Sequence, residues 1–143
     1  MNIALTNRDL IELLDVELAS HPGRCDLEVK HYFSDGIYTR ELYIPKGVAL
    51  TGKIHKTSCI NILAKGKMRV ISDTGEYDIE APYTFVSAPL IRKAGYALED
   101  SVWINVHPWD GSSTIEQIEE LVTVSNSNLL CSEAKWAGLL QQQ

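Results

Sequence analysis

Gly47-Val-Ala-Leu-Thr-Gly-Lys53-Ile-His55-Lys-Thr-Ser-Cys59-Ile-Asn-Ile-Leu-Ala-Lys-Gly66 is the stretch on which the fold turns. Two glycines bracket it, and a lysine, a histidine and a cysteine fall at short spacing inside it. It sits within a longer run, Pro45 to Ser72, that holds six cations (Lys46, Lys53, Lys56, Lys65, Lys67, Arg69) and no acid. Such a run reads either as a solvated, strand-rich face whose lysines guard sheet edges or as a wall that attracts anions.

Working outward, the chain alternates like a β protein on both sides. Leu27 to Tyr32 alternates, Ser34-Asp35-Gly36 turns, and Ile37 to Ile44 is rich in β-branched and aromatic types. Further strands are expected at 48–55, 58–64 and 67–72, with Asp73-Thr74-Gly75 making a hairpin into Glu76–Ile79. Tyr83–Val86, Ile91–Leu98 and Val102–Val106 complete a series of short strands at roughly ten-residue spacing, which argues for a sandwich or barrel. Helical periodicity flanks it. Thr6 and Asp9 have capping-box spacing ahead of Leu10, Ile11, Leu13, Leu14 and Leu18, and His21-Pro22-Gly23 ends that helix. Ser113 and Glu116 have the same spacing ahead of Ile115, Ile118, Leu121 and Val122. Ser132 to Leu140, with Trp136, Leu139 and Leu140, reads as a short final helix in need of a partner surface.

The 143 residues suit one domain, and an apolar content of 45% is ordinary for a globular chain. The net charge of −6 conceals a division: residues 24–93 hold 11 basic and 8 acidic residues, and the flanks hold 2 and 11. The total argues against wrapping duplex nucleic acid, which is driven by Lys and Arg. No apolar run approaches the ~20 residues that cross a bilayer, so no membrane partner is expected. The N-terminal residues lack a signal-peptide pattern. Cys25, Cys59 and Cys131 match neither a disulfide framework nor a Cys-x-x-Cys site. Reduced thiols and a cytoplasmic location are the expectation.

The opening stretch resembles the first motif of the cupin superfamily: Gly, five residues, His-x-His, three or four residues, Glu, six residues, Gly. Gly47 and Gly66 are the glycines, His55 is the second histidine, Lys53 replaces the first, and Cys59 replaces the glutamate. The second motif, Pro-x-Gly-x-x-His, is weaker, with Pro89 followed by Ile91 and by Ala94 in the histidine position. Gly52-Lys-Ile-His-Lys-Thr, Glu80-Ala-Pro-Tyr-Thr-Phe-Val-Ser, Ala94-Gly-Tyr-Ala-Leu-Glu-Asp-Ser-Val-Trp and His107-Pro look like a group of small cupins common in phage genomes. That group tends to carry Glu-His where this chain has Ser58-Cys59. The resemblance implies a mainly β fold: a cupin-like antiparallel β-barrel (jelly roll) with an N-terminal helix and one or two C-terminal helices. Within a single domain over 1–143, it places the first helix in 1–23, the barrel in 24–108 and a helical segment in 109–143. It also implies a homodimer and, for a phage protein, action in the host cytoplasm.

Candidate site residues divide by chemistry. The resemblance implies a variant metal cluster of His55, Cys59 and His107, suited to zinc or another divalent transition metal. Lys53 opposes a metal there, because a protonated amine has no lone pair. Otherwise His55 is a pocket hydrogen-bonder and His107 a strand-end residue beside Pro108. Lys53 and Arg40 could pair with a small anion, and Tyr38, Tyr96 or Trp103 could stack on a flat ring. Three functions follow: a non-catalytic cupin that sequesters an anionic, nucleotide-like molecule; a metal-dependent oxygenase, isomerase or lyase; and a virion or assembly scaffold. The degraded ligand set leans away from an enzyme.

Overall fold

A computed structural model describes residues 4–123. Its elements are α1 (Asn7–Ser20), β1 (Val29–Ser34), β2 (Ile37–Ile44), β3 (Ala49–Thr51), β4 (Cys59–Lys65), β5 (Lys67–Ser72), β6 (Gly75–Glu80), β7 (Tyr83–Ser87), β8 (Lys93–Ala97), β9 (Ser101–Pro108) and α2 (Ile115–Val122). All the strand pairs are antiparallel. They form a five-stranded sheet, β1-β2-β9-β4-β7, and a four-stranded sheet, β3-β8-β5-β6.

The expected mainly β jelly roll is therefore present, with one refinement. No ladder among the described residues joins the two sheets into a closed barrel. They are held together by side chains: Leu42, Ile44 and Leu63 of the larger sheet bury with Leu50, Met68, Val70, Ile79 and Ala97 of the smaller. Strand alternation supplies these residues, since every second position of β2 and β5 faces inward.

The capping box expected for α1 is present: Asp9 N–H donates to Thr6 Oγ1 at 3.1 Å, and Thr6 N–H donates to Asp9 Oδ2 at 2.9 Å. Ile11, Leu14 and Leu18 bury against Ala49, Ile71 and Ala94, on the outer face of the four-stranded sheet. The apolar stripe is narrower than expected, because Leu13 faces solvent. Two ion-pair groups fix the helix in place. Arg8 forks onto both oxygens of Asp73 at 2.7 Å, and buried Arg92 reaches Asp15 at 3.0 Å. His21 is the C-cap, as its position beside Pro22 suggested.

Two expected elements move. The strand expected over 48–55 stops at Thr51, because Lys53 and His55 leave the ladder to line a cavity. The cap of α2 is Thr114 with Gln117, one residue later than Ser113 with Glu116. Ser113 is already engaged: Asp110 Oδ1 accepts from its N–H at 2.7 Å, as it does from Ser112 N–H at 2.8 Å. The Ser113 hydroxyl, which donates to Asp110 Oδ2, and then these backbone donors hold the Asp110 carboxyl at about 2. The helix expected over 132–140 lies outside the described residues. Among the described residues, no helix is long and apolar enough to cross a membrane.

Candidate ligand cavity between the sheets

The two sheets enclose about 890 Å³ of empty space, counting its open mouth. Its floor is the apolar core itself: Leu42, Ile44, Leu50, Met68 and Val70. Above the floor lies a polar belt of Arg40, Lys53, His55, Asn61, Lys93, Asn105 and His107, with Tyr38 and Trp103 as aromatic walls. Ile118, Glu119, Val122 and Thr123 cover part of the mouth.

β4 and β9 build this belt by an inverted pattern. Antiparallel sheets with one wet face put apolar residues inward and polar ones outward. Here Cys59 and Asn61 of β4 and Asn105 and His107 of β9 point inward, while Ile60, Ile62, Ile104 and Val106 take the opposite face. Burying polar groups is costly unless they are bonded, and these are partly satisfied by one another. Asn105 Nδ2 donates to Asn61 Oδ1 at 2.8 Å and to Cys59 Sγ at 3.4 Å. Asn61 Nδ2 donates to Ser87 Oγ and to the Cys59 carbonyl, both at 3.1 Å.

The expected residues mostly converge. Tyr38, Arg40, Lys53, His55, Trp103 and His107 all line the cavity, and Cys59 stands beside the two histidines. Tyr38 shares a 2.6 Å hydrogen bond with His31 Nδ1, and burial pushes its hydroxyl up to about 12, so it stays protonated. Tyr96 does not join them. It pairs with Ala49 on the opposite face of β8 and packs under α1, because its neighbour Gly95 takes the inward position.

The acid-free run is also divided by the pleat. Lys53 alone of its six cations lines the cavity, while Arg69 of β5 pairs with Asp78, its cross-strand neighbour on β6, at 2.9 Å. Two other cavity cations, Arg40 on β2 and Lys93 on β8, are the strongest charges inside. Neither has a carboxylate within 4.0 Å among the described residues. Burial is the main cause that lowers the pKa of both. Lys93 was legible only as one cation of a dipeptide, since its inward direction depends on the register of β8 with β5.

The cover is tied down at several points. Lys53 Nζ meets Glu119 Oε2 at 2.8 Å, and Lys56 Nζ donates to the Glu120 carbonyl at 3.1 Å. Lys56 N–H donates to the Val122 carbonyl at 2.7 Å. The buried Ile118 anchors the helix.

His55, Cys59 and His107 each offer a ligand atom, and these atoms lie within 4.8 Å of one another. Tetrahedral zinc with nitrogen and sulfur donors would bring them to roughly 3.4–3.8 Å, so the three would have to draw together by about 1 Å. The donor chemistry fits a zinc-like ion. Burial first, then the nearby charges of His107 and Lys93, lowers His55 to about 4, and burial lowers His107. Both imidazoles are therefore neutral, with lone pairs available at pH 7. Burial raises the Cys59 thiol, with Lys93 and Asn105 opposing that effect.

A pH dependence follows. The folded pKa of His55, about 4, lies below its ordinary 6.5. Between those values the unfolded chain binds a proton that the folded one refuses, so stability is full above pH 6.5 and falls as pH drops toward 4. The loss from His55 is of order 2–3 kcal/mol, and His107 adds in the same direction. Urea midpoints measured from pH 7 to 4 are expected to fall, and His55→Asn to flatten the fall. Parallel profiles for the two proteins would refute the assignment.

This is a cupin in fold: two facing antiparallel sheets around a cavity to whose polar belt the opening motif contributes Lys53, His55 and Asn61. No family model matches the chain, and no curated protein matches it. Solved structures do. A KdgF from Halomonas sp. is 16% identical, with 62% of this chain and 82% of that chain covered at a TM-score of 0.51. An RmlC-like cupin from Shewanella frigidimarina is 15% identical, covering 62% and 84% at 0.50. A salicylate 1,2-dioxygenase from Pseudaminobacter salicylatoxidans is 14% identical, with 71% of this chain and 32% of that chain covered at 0.52. At these identities the likeness shows the fold alone.

Proposed function

We propose that this protein is a non-catalytic binding protein for a small organic anion with a flat or apolar body. One observation carries the reading: Arg40 and Lys93 line the cavity above an apolar floor with no carboxylate within 4.0 Å among the described residues. A buried charge is costly unless paired, and a carboxylate or phosphate would pair with both. Arg40 can grip such a group with two parallel N–H donors, and Lys93 adds a point charge. Tyr38 and Trp103 offer ring faces, and the aliphatic floor suits the body of the ligand. The salicylate dioxygenase among the similar structures is named for an aromatic carboxylate, a molecule of this chemistry. The phage-type resemblance favours a sequestering role, in which a nucleotide-like molecule is held without being turned over.

Native mass spectrometry of protein purified from cells tests the proposal directly, since it retains bound molecules. A released mass carrying a carboxylate or phosphate is expected. Titration with benzoate and with adenosine monophosphate separates the two anion classes, and no heat or thermal shift with either would count against the reading.

Glu119 competes with the ligand, because its carboxylate already holds Lys53 at the mouth. Glu119→Gln is expected to tighten anion binding about 3- to 10-fold at low salt, with the gain fading above ~0.3 M salt as screening grows. Calorimetric titration at two salt concentrations checks this, and weaker binding in the variant would contradict it.

A second reading rests on the His55, Cys59 and His107 cluster. These residues would hold a zinc-like ion, which would supply a Lewis acid at an open coordination position. Arg40 and Lys93 would then orient an anionic substrate beside it. Elemental analysis of the purified protein and of Cys59→Ser distinguishes the readings: near-stoichiometric metal lost in the variant would favour the enzyme.

A further inference from the structure

Asn105 carries a hydrogen-bond acceptor that its own chain leaves unused. The orientation of its amide is fixed by a series of bonds that begins at a backbone carbonyl. The Cys59 carbonyl can only accept, so the Asn61 amide atom 3.1 Å from it is the nitrogen. That nitrogen also donates to Ser87 Oγ at 3.1 Å, and Asn61 is fully buried. Asn61 Oδ1 therefore faces Asn105, and the Asn105 atom 2.8 Å from it must be a donor, Nδ2. The Ile60 carbonyl, 3.4 Å from the same nitrogen, agrees with that assignment. Asn105 Oδ1 is left on the other arm of the amide. No group among the described residues donates to it, and it is not sealed from the cavity that Asn105 lines.

The registers of β2, β9 and β4 arrange the inward residues in rungs. Arg40 pairs with Asn105, and Asn105 with Asn61. On one side of this rung Tyr38 pairs with His107, and on the other Trp103 stands between Leu42 and Leu63. Cβ atoms across a rung lie about 4.5–5.5 Å apart, and rungs on one face about 7 Å apart. A carboxylate held by Arg40 therefore leaves the rest of its molecule beside Asn105, between the Tyr38 and Trp103 rings. There an ether or a second carboxylate would set acceptor against acceptor, whereas an O–H or N–H would pair with Asn105 Oδ1.

We infer that Asn105 is a specificity-determining residue, and that the ligand is an aromatic carboxylate bearing a hydroxyl or amino donor on its ring. This rests on the anion-binding reading above and narrows it. Arg40 takes the carboxylate, Tyr38 and Trp103 face the ring, and Asn105 Oδ1 accepts from the ring substituent. Asn61 is a positioning residue, because with Ser87 and the Cys59 carbonyl it holds the Asn105 amide with its oxygen toward the ligand. A fixed acceptor of this kind rejects an analogue that cannot donate, since binding would leave it unpaired.

Calorimetric titration of the full chain with meta- and para-hydroxybenzoate, their methoxy counterparts, benzoate and adenosine monophosphate tests the inference. The ortho isomer is unsuitable, because its hydroxyl bonds to its own carboxylate. At least one hydroxybenzoate is expected to bind roughly tenfold or more tightly than both its methoxy counterpart and benzoate. Asn105→Ala is expected to cut that preference below about threefold, with thermal melts checking that the variant folds. A preference that survives in folded Asn105→Ala would place the acceptor elsewhere and overturn the assignment. Benzoate bound as tightly as the hydroxybenzoates would mean that water serves Asn105 Oδ1, which overturns the inference and leaves the anion reading intact. Binding of adenosine monophosphate without any benzoate would do the same. Silence from every anion would overturn both. The ligand series needs no variant, so it decides the matter even if Asn105→Ala fails to fold.

Discussion

Arg40→Met is expected to make the ligand-free protein more stable while removing its affinity for anions. The two effects share one cause. Arg40 is half-buried at the cavity belt with no carboxylate within 4.0 Å among the described residues, so the empty protein bears part of the cost of its desolvation. Methionine keeps the length and the apolar stem without the charge. A gain of about 1–3 kcal/mol is expected, read as a rise of several degrees in melting temperature. With a bound carboxylate or phosphate, the same substitution removes a forked charge-assisted pair. Such a loss costs about 2–4 kcal/mol, or roughly 30- to 1,000-fold in affinity. Lys93→Met is expected to act in the same direction on both measurements. Calorimetric titration with benzoate and adenosine monophosphate, beside thermal melts, reads both. A destabilised variant with undiminished anion affinity would show that Arg40 is structural.

Gly66→Ala is expected to be among the most destabilising single changes in the chain, and Gly47→Ala a mild one. Both glycines belong to the opening motif and both have positive φ, +89° at Gly66 and +86° at Gly47. An L side chain there costs about 1–2 kcal/mol. Their surroundings differ. A Cβ on Gly47 meets nothing within 4 Å, whereas one on Gly66 would lie 2.8 Å from Ser101 Cα and closer still to Ser101 Oγ and the Asp100 carbonyl. Backbone cannot yield as a side-chain tip does, so overpacking adds about 1–3 kcal/mol. Gly66 sits between β4 and β5, at the crossing between the two sheets, and its carbonyl accepts from Ala81 N–H at 2.9 Å. Urea denaturation of both variants is expected to show a loss at Gly66 at least twice that at Gly47. Equal losses would mean that only φ matters.

Local chemistry was the legible part. The Thr6–Asp9 box, the strand alternation and the hairpin at Asp73-Thr74-Gly75 depend on residues within a few positions of one another, and they stand as read. The cap of α2 slipped by one residue because Asp110 engages Ser113, a competition between near neighbours that spacing alone does not rank. The charge run misled more. Its cations lie in one acid-free run, but the run is divided among loops, β4 and β5, so proximity in sequence did not become a wall.

The candidate site was legible as a motif and incomplete as a cavity. His55, Cys59 and His107 could be singled out by residue type, and the register of β4 with β9 brings them together. Lys93, Asn61 and Asn105 carried no signal, since an inward Asn or Lys is indistinguishable from a surface one until its strand is paired. Tyr96 was assigned to the site by its ring and excluded by its parity. Glu119 came from a helix 66 residues away from its lysine partner.

By itself the sequence determined a β-rich chain with a capped helix at each end of the strands, and glycines at the two positive-φ turns of its opening motif. These are properties of short windows, where backbone sterics and period-two alternation suffice. The tertiary structure alone decided which face of each strand became cavity and which became outer surface. That choice inverted β4 and β9, putting polar groups inside and aliphatic ones outside. A one-residue change in register exchanges the two faces, and register is set by pairing between strands distant in sequence, such as β4 with β9.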